Sequence, residues 1–142
     1  MAYNDKTKAI GVQVAESVYS DIDLLFKPHP VTGDISLKYD TDAIKRSIKN
    51  LMLTNYYERP FKPGFGSNLR AKLFELNHPR YYTKFTEDIQ KIIASYEPRV
   101  SNVEVSFDNG LDTNQLNVRI SYVIRNVNQD RQRLTVTLDR IR

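Results

Sequence analysis

Two carboxylates in this sequence, Glu75 and Glu97, are candidates for acid–base chemistry. Glycoside hydrolysis uses such a pair, with a general acid of raised pKa and a second carboxylate at a defined separation. Arg99, however, follows Glu97 by two positions, and a neighbouring cation lowers the pKa of a carboxyl group. In an extended segment the two side chains would lie on one face. The pattern therefore favours a docking site and leaves hydrolysis as the alternative.

Residues that bind metal ions are few and poorly spaced. His29 and His78 each stand beside a proline, the chain has no cysteine, and no second histidine lies at ligand spacing. Asp21 and Asp23 would share one side of an extended segment, but short acidic residues more often cap turns. No Ser–His–Asp or Cys–His arrangement is present either. The sequence predicts no metal, no cofactor and no catalytic residues.

The length and composition of the chain indicate its broad class of protein. A chain of 142 residues is most simply one domain with a core of its own. The first residues contain lysines but no apolar segment of a secretory signal. No apolar run approaches the roughly 18 residues that a membrane helix needs. We expect a protein made in a cytoplasm, without a membrane partner.

The net charge of +4 is concentrated near the C-terminus. Residues 119–142 hold six arginines and two aspartates, whereas the rest of the chain balances to zero. Arginine makes bidentate contacts with carboxylates, so these residues could dock on an acidic partner; a solvated strand face is equally well supported. Nucleic-acid binding is not predicted, because aromatic residues hardly alternate with these arginines. The six are Arg119, Arg125, Arg131, Arg133, Arg140 and Arg142.

Hydrophobic periodicity predicts helices over roughly residues 40–97. Apolar residues recur at helical spacing after Asp40 or Thr41, and this first helix should end near residues 54–56. A short helix follows, and a longer one begins near Pro79, which suits a first helical turn. The longer helix has the best apolar stripe: Tyr82, Phe85, Ile89, Ile92, Ile93 and Tyr96.

The segment 58–69 is rich in proline and glycine and cannot form a regular element. Pro60 lies within it, and Phe61 and Phe65 are too apolar for a fully solvated loop. We expect both rings to pin this loop to the core, with Gly64 and Gly66 permitting unusual dihedral angles between them.

The period changes to two after Pro98, which predicts a sheet over about residues 100–140. The Asp-Asn-Gly sequence at 108–110 and the segment 126–130 are expected turns. Helices followed by three antiparallel strands define an α+β domain over residues 17–142, with residues 1–16 as a polar arm. The outer strands leave edges that can accept a strand from another chain. Their apolar positions include Leu134, Val136 and Leu138.

Several of these segments together resemble the baseplate wedge subunit, or sheath initiator, of T4-like contractile tails, which is related to a type VI secretion component. The resembling segments are "YSDID" near the start, "RPFKPGFG" with a following "LFE", the triplet Glu97-Pro98-Arg99 and the closing meander. They occur in the family's order over residues 17–140.

The resemblance implies a structural, non-catalytic protein of the virion tail, assembled in the host cytoplasm in six copies per baseplate. It implies that Glu97-Pro98-Arg99 docks on the helical core bundle of the other wedge proteins, and that the tail sheath protein adds strands to the C-terminal sheet. Contacts with tail tube or hub proteins are also compatible with it. The family has carried a lysozyme label, which matches the hydrolytic alternative. On this basis we predict a sheath-binding surface of Arg119, Arg125, Arg131, Arg133, Leu134, Val136 and Leu138.

Overall fold

The computed structural model describes residues 17–72, 79–110, 115–126 and 128–139. Eight elements follow one another along the chain. They are β1 (Ser20–Ile22), β2 (Leu37–Tyr39), α1 (Asp40–Leu53), α2 (Leu69–Lys72), α3 (Pro79–Tyr96), β3 (Val100–Gly110), β4 (Gln115–Ile124) and β5 (Asn128–Asp139). The predicted α+β class, with helices and a three-stranded antiparallel sheet, is confirmed. The predicted arm, residues 1–16, lies outside the described residues.

The main sheet has the order β3-β4-β5, with every neighbouring pair antiparallel. Its inner face is apolar because alternate residues of each strand point toward the helices. On β4 these residues are fully buried, whereas on β3 they are only partly covered. The inner-face residues are Val103, Val105, Phe107, Leu116, Val118, Ile120, Tyr122, Ile124, Leu134, Val136 and Leu138.

Helices α1 and α3 cover the inner face of the sheet, α1 next to β5 and α3 next to β3. Their core positions follow the predicted helical spacing: Ile44, Ile48 and Met52 on α1, and Ile89 and Ile93 on α3, are all fully buried. At the end of α1, the buried Ser67 hydroxyl donates to the Met52 carbonyl oxygen over 2.7 Å. This bond satisfies a carbonyl group that has no partner within the helix.

The strand β3 is longer than the sequence indicated. It continues through Asp108, Asn109 and Gly110, which pair with Asn117, Leu116 and Gln115 of β4. The turn predicted at 108–110 is therefore wrong: the pairing of the two strands overrides the local turn preference of Asp-Asn-Gly.

The first two strands form a small second sheet that precedes α1 in the chain. Ile22 pairs with Leu37, and both side chains are about half exposed. Asp40, at the start of α1, has a φ of +40°, a backbone conformation that aspartate tolerates better than most residues. Its carboxylate accepts the backbone N–H groups of Val18 and Tyr19, each over 2.9 Å. Asp40 thereby ties the incoming chain to the helix.

The proline-rich loop only partly follows the prediction. Phe65 packs edge-to-face on Tyr96 with ring centres 5.0 Å apart, and the Arg59 guanidinium lies 4.7 Å above the Phe65 ring. The expectation for Phe61 is wrong, because its side chain is fully exposed at the loop tip. Pro60, in the same stretch, is exposed as well. One aromatic ring, not two, fixes this loop to the core.

Gly66 is the position in this loop where only glycine fits. Its φ is +116°, and a Cβ atom built there would lie 2.4 Å from the Thr54 carbonyl oxygen. Gly66→Ala is therefore expected to lower the free energy of unfolding by about 2–4 kcal/mol, measured by urea denaturation. Gly64→Ala is the matched control, since a Cβ atom there meets nothing within 4 Å. Equal effects of the two substitutions would contradict this assignment.

Candidate functional site

The triplet Glu97-Pro98-Arg99 forms the corner between α3 and β3. The Glu97 N–H donates to the Ile93 carbonyl oxygen over 2.8 Å and continues the helical pattern, while the Val100 N–H donates to the Glu97 carbonyl oxygen over 3.3 Å. Pro98 and Arg99 occupy a turn between the two elements. The corner therefore fixes the direction in which the sheet leaves the helical layer.

A two-point ion pair holds this corner together. The Arg99 guanidinium donates from Nε to Glu97 Oε1 over 2.5 Å and from Nη2 to Glu97 Oε2 over 2.7 Å. The planar fork of arginine matches the two carboxylate oxygens and gives the pair one geometry. The Glu97 side chain is 3% exposed and that of Arg99 is 26% exposed. Glu97 is thus the buried anchor, whereas Arg99 and the exposed Pro98 reach the surface.

The surroundings keep Glu97 ionised. Burial alone would raise the pKa of its carboxyl group, but hydrogen bonds from Arg99 and Ser47 and the charge of Arg99 outweigh burial and lower it. The same ion pair raises the pKa of the Arg99 guanidinium. A carboxyl group with a lowered pKa has no proton to give at neutral pH. Glu97 is therefore unsuited to general-acid catalysis. The lowered pKa agrees with the effect that the sequence predicted for the neighbouring Arg99.

Tyr122, in the core on β4, interacts electrostatically with Glu97 of the corner. Tyr122 is fully buried, and its hydroxyl group has no hydrogen-bond partner among the described residues. Burial, together with the charges of Glu97 and Asp42, raises the pKa of Tyr122 to about 12. Because electrostatic interactions are stronger in the protein interior than in water, the burial of the Glu97 side chain strengthens its attraction to Arg99.

Two further segments meet at the corner. The Tyr19 ring lies 5.6 Å from the Arg99 guanidinium, in cation–π contact, and its hydroxyl donates to the Arg125 carbonyl oxygen over 3.2 Å. The Arg125 N–H in turn donates to the Arg99 carbonyl oxygen over 2.8 Å. Tyr19 and Ser47 were missed as members of this site. Tyr19 lies in the "YSDID" segment, whereas Ser47 is one of several serines and gives no signal in the sequence.

The predicted sheath-binding arginines divide into two groups. Arg119 forms an ion pair with Asp108 over 2.8 Å, and Arg131 makes a two-point pair with Glu104. Arg125 and Arg133 are exposed, and within the described ranges neither side chain forms an ion pair. Arg140 and Arg142 lie outside those ranges.

The apolar members of that predicted surface lie in the core. Leu134, Val136 and Leu138 are 5%, 2% and 5% exposed on the inner face of β5. Another chain could reach these positions only through their main-chain groups. Their assignment to a sheath-binding surface stays a prediction.

The other candidate site residues have structural roles where the structure describes them. Asp23 is buried, accepts the Leu25 N–H over 3.2 Å and forms ion pairs with Arg46 over 3.5 Å and Lys38 over 3.8 Å. His29 accepts two backbone N–H groups of its own turn through Nδ1.

Nothing in the described part of the chain groups three or more metal-ligating side chains. Within the same ranges, no helix has the length and apolarity needed to cross a bilayer. Glu75 and His78 fall between the described ranges.

The solved structures that share this fold include the following two. One is the cryo-EM structure of the anti-feeding prophage baseplate, with a TM-score of 0.62 and 22% identity over 77% of this chain and 87% of the matched chain. The other is the crystal structure of a candidate tail lysozyme from Geobacter sulfurreducens, with a TM-score of 0.57 and 21% identity over 68% and 86% of the two chains. The architecture is thus one that occurs in a tail-like baseplate.

Sequence comparison then gives the family. A family model described as baseplate wedge protein gp25 matches residues 38–129. Baseplate wedge protein gp25 of Enterobacteria phage T4 is 31% identical over 107 residues, which span 75% of this chain and 80% of the phage protein. The chain belongs to the baseplate wedge protein gp25 family, and the matched region includes the whole Glu97–Arg99 corner.

The stability contributed by the Glu97–Arg99 pair is expected to disappear in acid. Because the pKa of Glu97 in the folded protein lies below its ordinary value of 4.5, the contribution is complete above that value and is lost as the pH falls through the folded-state pKa. The difference in free energy of unfolding between the wild type and Glu97→Gln should therefore stay constant well above pH 4.5 and shrink as the pH falls below that value.

Urea denaturation at a series of pH values measures this difference. Glu87→Gln serves as the control, since Glu87 is an exposed carboxylate without an ion pair in the part of the chain described. A gap that stays constant, or widens in acid, would show that the pair does not stabilise the fold.

Proposed function

We propose that this chain is a non-enzymatic assembly component of a contractile tail baseplate, with two roles. It docks on the other wedge proteins through the Glu97-Pro98-Arg99 corner, and its C-terminal sheet templates the tail sheath by accepting a strand. The observation that carries the proposal is the buried ion pair that presents Pro98 and Arg99 at the surface in one fixed geometry.

The docking role rests on how the corner is built. Glu97 is too deeply buried to touch a partner, so its part is to position Arg99. Pro98 adds a rigid, exposed apolar surface beside the guanidinium. Arginines held in place by neighbouring groups are typical of interface hot spots, since little side-chain entropy remains to be lost on binding. The partner expected here is the helical core bundle of the wedge, with further contacts to tube or hub proteins.

The templating role rests on the open edges of the sheet. The edge strands β3 and β5 each have a neighbour on one side within the described residues, and every second residue of such a strand directs its N–H and C=O groups outward. Strand addition draws affinity from these main-chain groups, and side chains set the register. Among the arginines of residues 119–139 that the structure describes, Arg125 and Arg133 are available to an acidic sheath surface, because Arg119 and Arg131 are paired within the sheet.

The expected setting is the virion tail baseplate, with six copies per baseplate and assembly in the host cytoplasm. This setting follows the family's name and the resemblance of the motifs. It needs neither nucleic acid nor a cofactor at the corner.

Variants at the corner test the docking role. Pro98→Ala and Arg99→Lys are expected to reduce incorporation into baseplates about 10-fold or more, because lysine cannot form the two-point pair and alanine loses the rigid turn. Copurification with epitope-tagged wedge proteins measures incorporation. Arg131→Lys is the matched control, since it alters a two-point arginine–glutamate pair on the solvent face of the sheet. Normal incorporation of folded Pro98→Ala and Arg99→Lys proteins would contradict the docking role.

The hydrolytic alternative requires Glu97 or Glu75 to act in the hydrolysis of peptidoglycan, whereas the assembly role requires no such activity. The purified protein is expected not to turn over peptidoglycan, because the ionised and buried Glu97 cannot act as a general acid. Release of soluble fragments from labelled peptidoglycan measures this activity, with hen egg-white lysozyme as the positive control. Robust release that Glu97→Gln or Glu75→Gln abolishes would reverse the assignment.

A further inference from the structure

The inner-face side chains are buried to different extents at the two edges of the sheet. On β5, Leu134, Val136 and Leu138 are at most 5% exposed, because α1 packs beneath them. On β3, Val105 and Phe107 face the same helical layer yet are only partly buried. The core is therefore complete under β5 and incomplete under β3.

A groove of about 540 Å³ lies along this incomplete edge. Its floor is aromatic: Phe107 packs against Tyr82, with ring centres 5.6 Å apart, and against Phe85, with ring centres 5.4 Å apart. One wall comes from α3 and the other from β3. The lining residues are Tyr82, Thr83, Thr86, Glu87, Val105, Ser106 and Phe107.

The edge of β3 that could pair with another strand ends at a β-bulge. The β3–β4 register shifts between Ser101 and Glu104, and Asn102, within this bulge, has a φ of +50°. The Gln90 side-chain amide of α3 donates to the Val103 carbonyl oxygen over 2.9 Å. A bulge combined with a side chain bonded to the backbone terminates pairing there. The edge available to another strand is thus Glu104–Gly110, long enough for a strand of ordinary length.

We infer that β3, not β5, receives the added strand, and that the strand lays alternate apolar side chains into the groove beside Phe107. The inference rests on the proposed templating role and commits to an extended segment of the sheath subunit as the occupant. A helix could fill the groove but could not pair with the edge. Glu87 is exposed at the groove wall and forms no ion pair within the described ranges. Its negative charge favours a lysine or arginine in the added strand.

The sheet provides a matched pair of positions for a cross-linking test. Ser106 pairs with Arg119, and Arg119 pairs with Thr135, so Ser106 on β3 and Thr135 on β5 lie in one row at opposite edges. Both side chains are exposed on the solvent face. The chain has no cysteine, so Ser106→Cys and Thr135→Cys each create a single labelling site. With strands about 4.8 Å apart, a strand added to β3 lies about 5 Å from position 106 and about 14 Å from position 135.

Each full-length cysteine variant is labelled with a short photoreactive maleimide, assembled into sheathed tails and irradiated, and the cross-linked peptides are identified by mass spectrometry. We expect the label at position 106 to cross-link an extended segment of the sheath subunit at least fivefold more efficiently than the label at position 135. Circular dichroism of both labelled variants shows whether each remains folded before assembly.

The other outcomes separate this inference from the proposed function. Sheath cross-links mainly from position 135 would overturn the assignment to β3 and leave templating intact. Sheathed tails that give no sheath cross-link from either position would overturn strand addition itself. Cross-links from position 106 to residues 1–16 of the same chain, or to a second copy, would give the groove another occupant and overturn the inference.

Discussion

The geometry of this protein depends on one buried ion pair, between the Glu97 carboxylate and the Arg99 guanidinium. The helical layer ends and the sheet begins within the three residues that contain this pair. A loosely held connection would let α3 and β3 change their relative angle, and the shared core of Phe85, Ile89 and Ile93 would lose its packing against the strands. Buried ion pairs are costly to form and costly to break. This pair holds Arg99 in a single orientation. The proposed docking on other proteins requires such a fixed orientation.

The ion pairs on the solvent face of the sheet are exposed, unlike the buried pair at the corner. Its ion pairs join neighbouring strands, as in Asp108 with Arg119, or reach across β4, as in Glu104 with Arg131. Exposed pairs of this kind contribute little stability. They do neutralise much of the arginine excess of the C-terminal segment, so the local field is weaker than composition alone suggests. For the proposed strand addition, specificity must then come mainly from backbone register and from how well side chains fill the groove under β3.

The fold was more predictable than the site because periodicity reports burial directly. The alternation of Leu116, Val118 and Ile120 gave the central strand, and the helical spacing of Phe85, Ile89 and Ile93 gave α3. Predictions based on local composition were weaker. Asp-Asn-Gly at 108–110 reads as a turn, but strand pairing extends through it; Phe61 reads as buried, but it lies at the tip of a loop. The contact of Tyr19 with Arg99 joins residues 80 positions apart and has no local signature.

The segment that supplies Tyr19 is attached mostly through polar contacts, because most of its large apolar side chains are exposed. Its two strands have three residues each, and Ile22 and Leu37 are half exposed. Its polar contacts with α1 include the bonds to the Asp40 carboxylate and the ion pair between Asp23 and Arg46. Two-stranded sheets are marginal by themselves, and such regions open locally at a fraction of the global free energy of unfolding. When residues 17–39 detach, the aromatic cover leaves Arg99 while the bond to Glu97 stays intact. Local opening of residues 17–39 would therefore remove the aromatic ring from one face of Arg99 without changing how Glu97 orients the guanidinium.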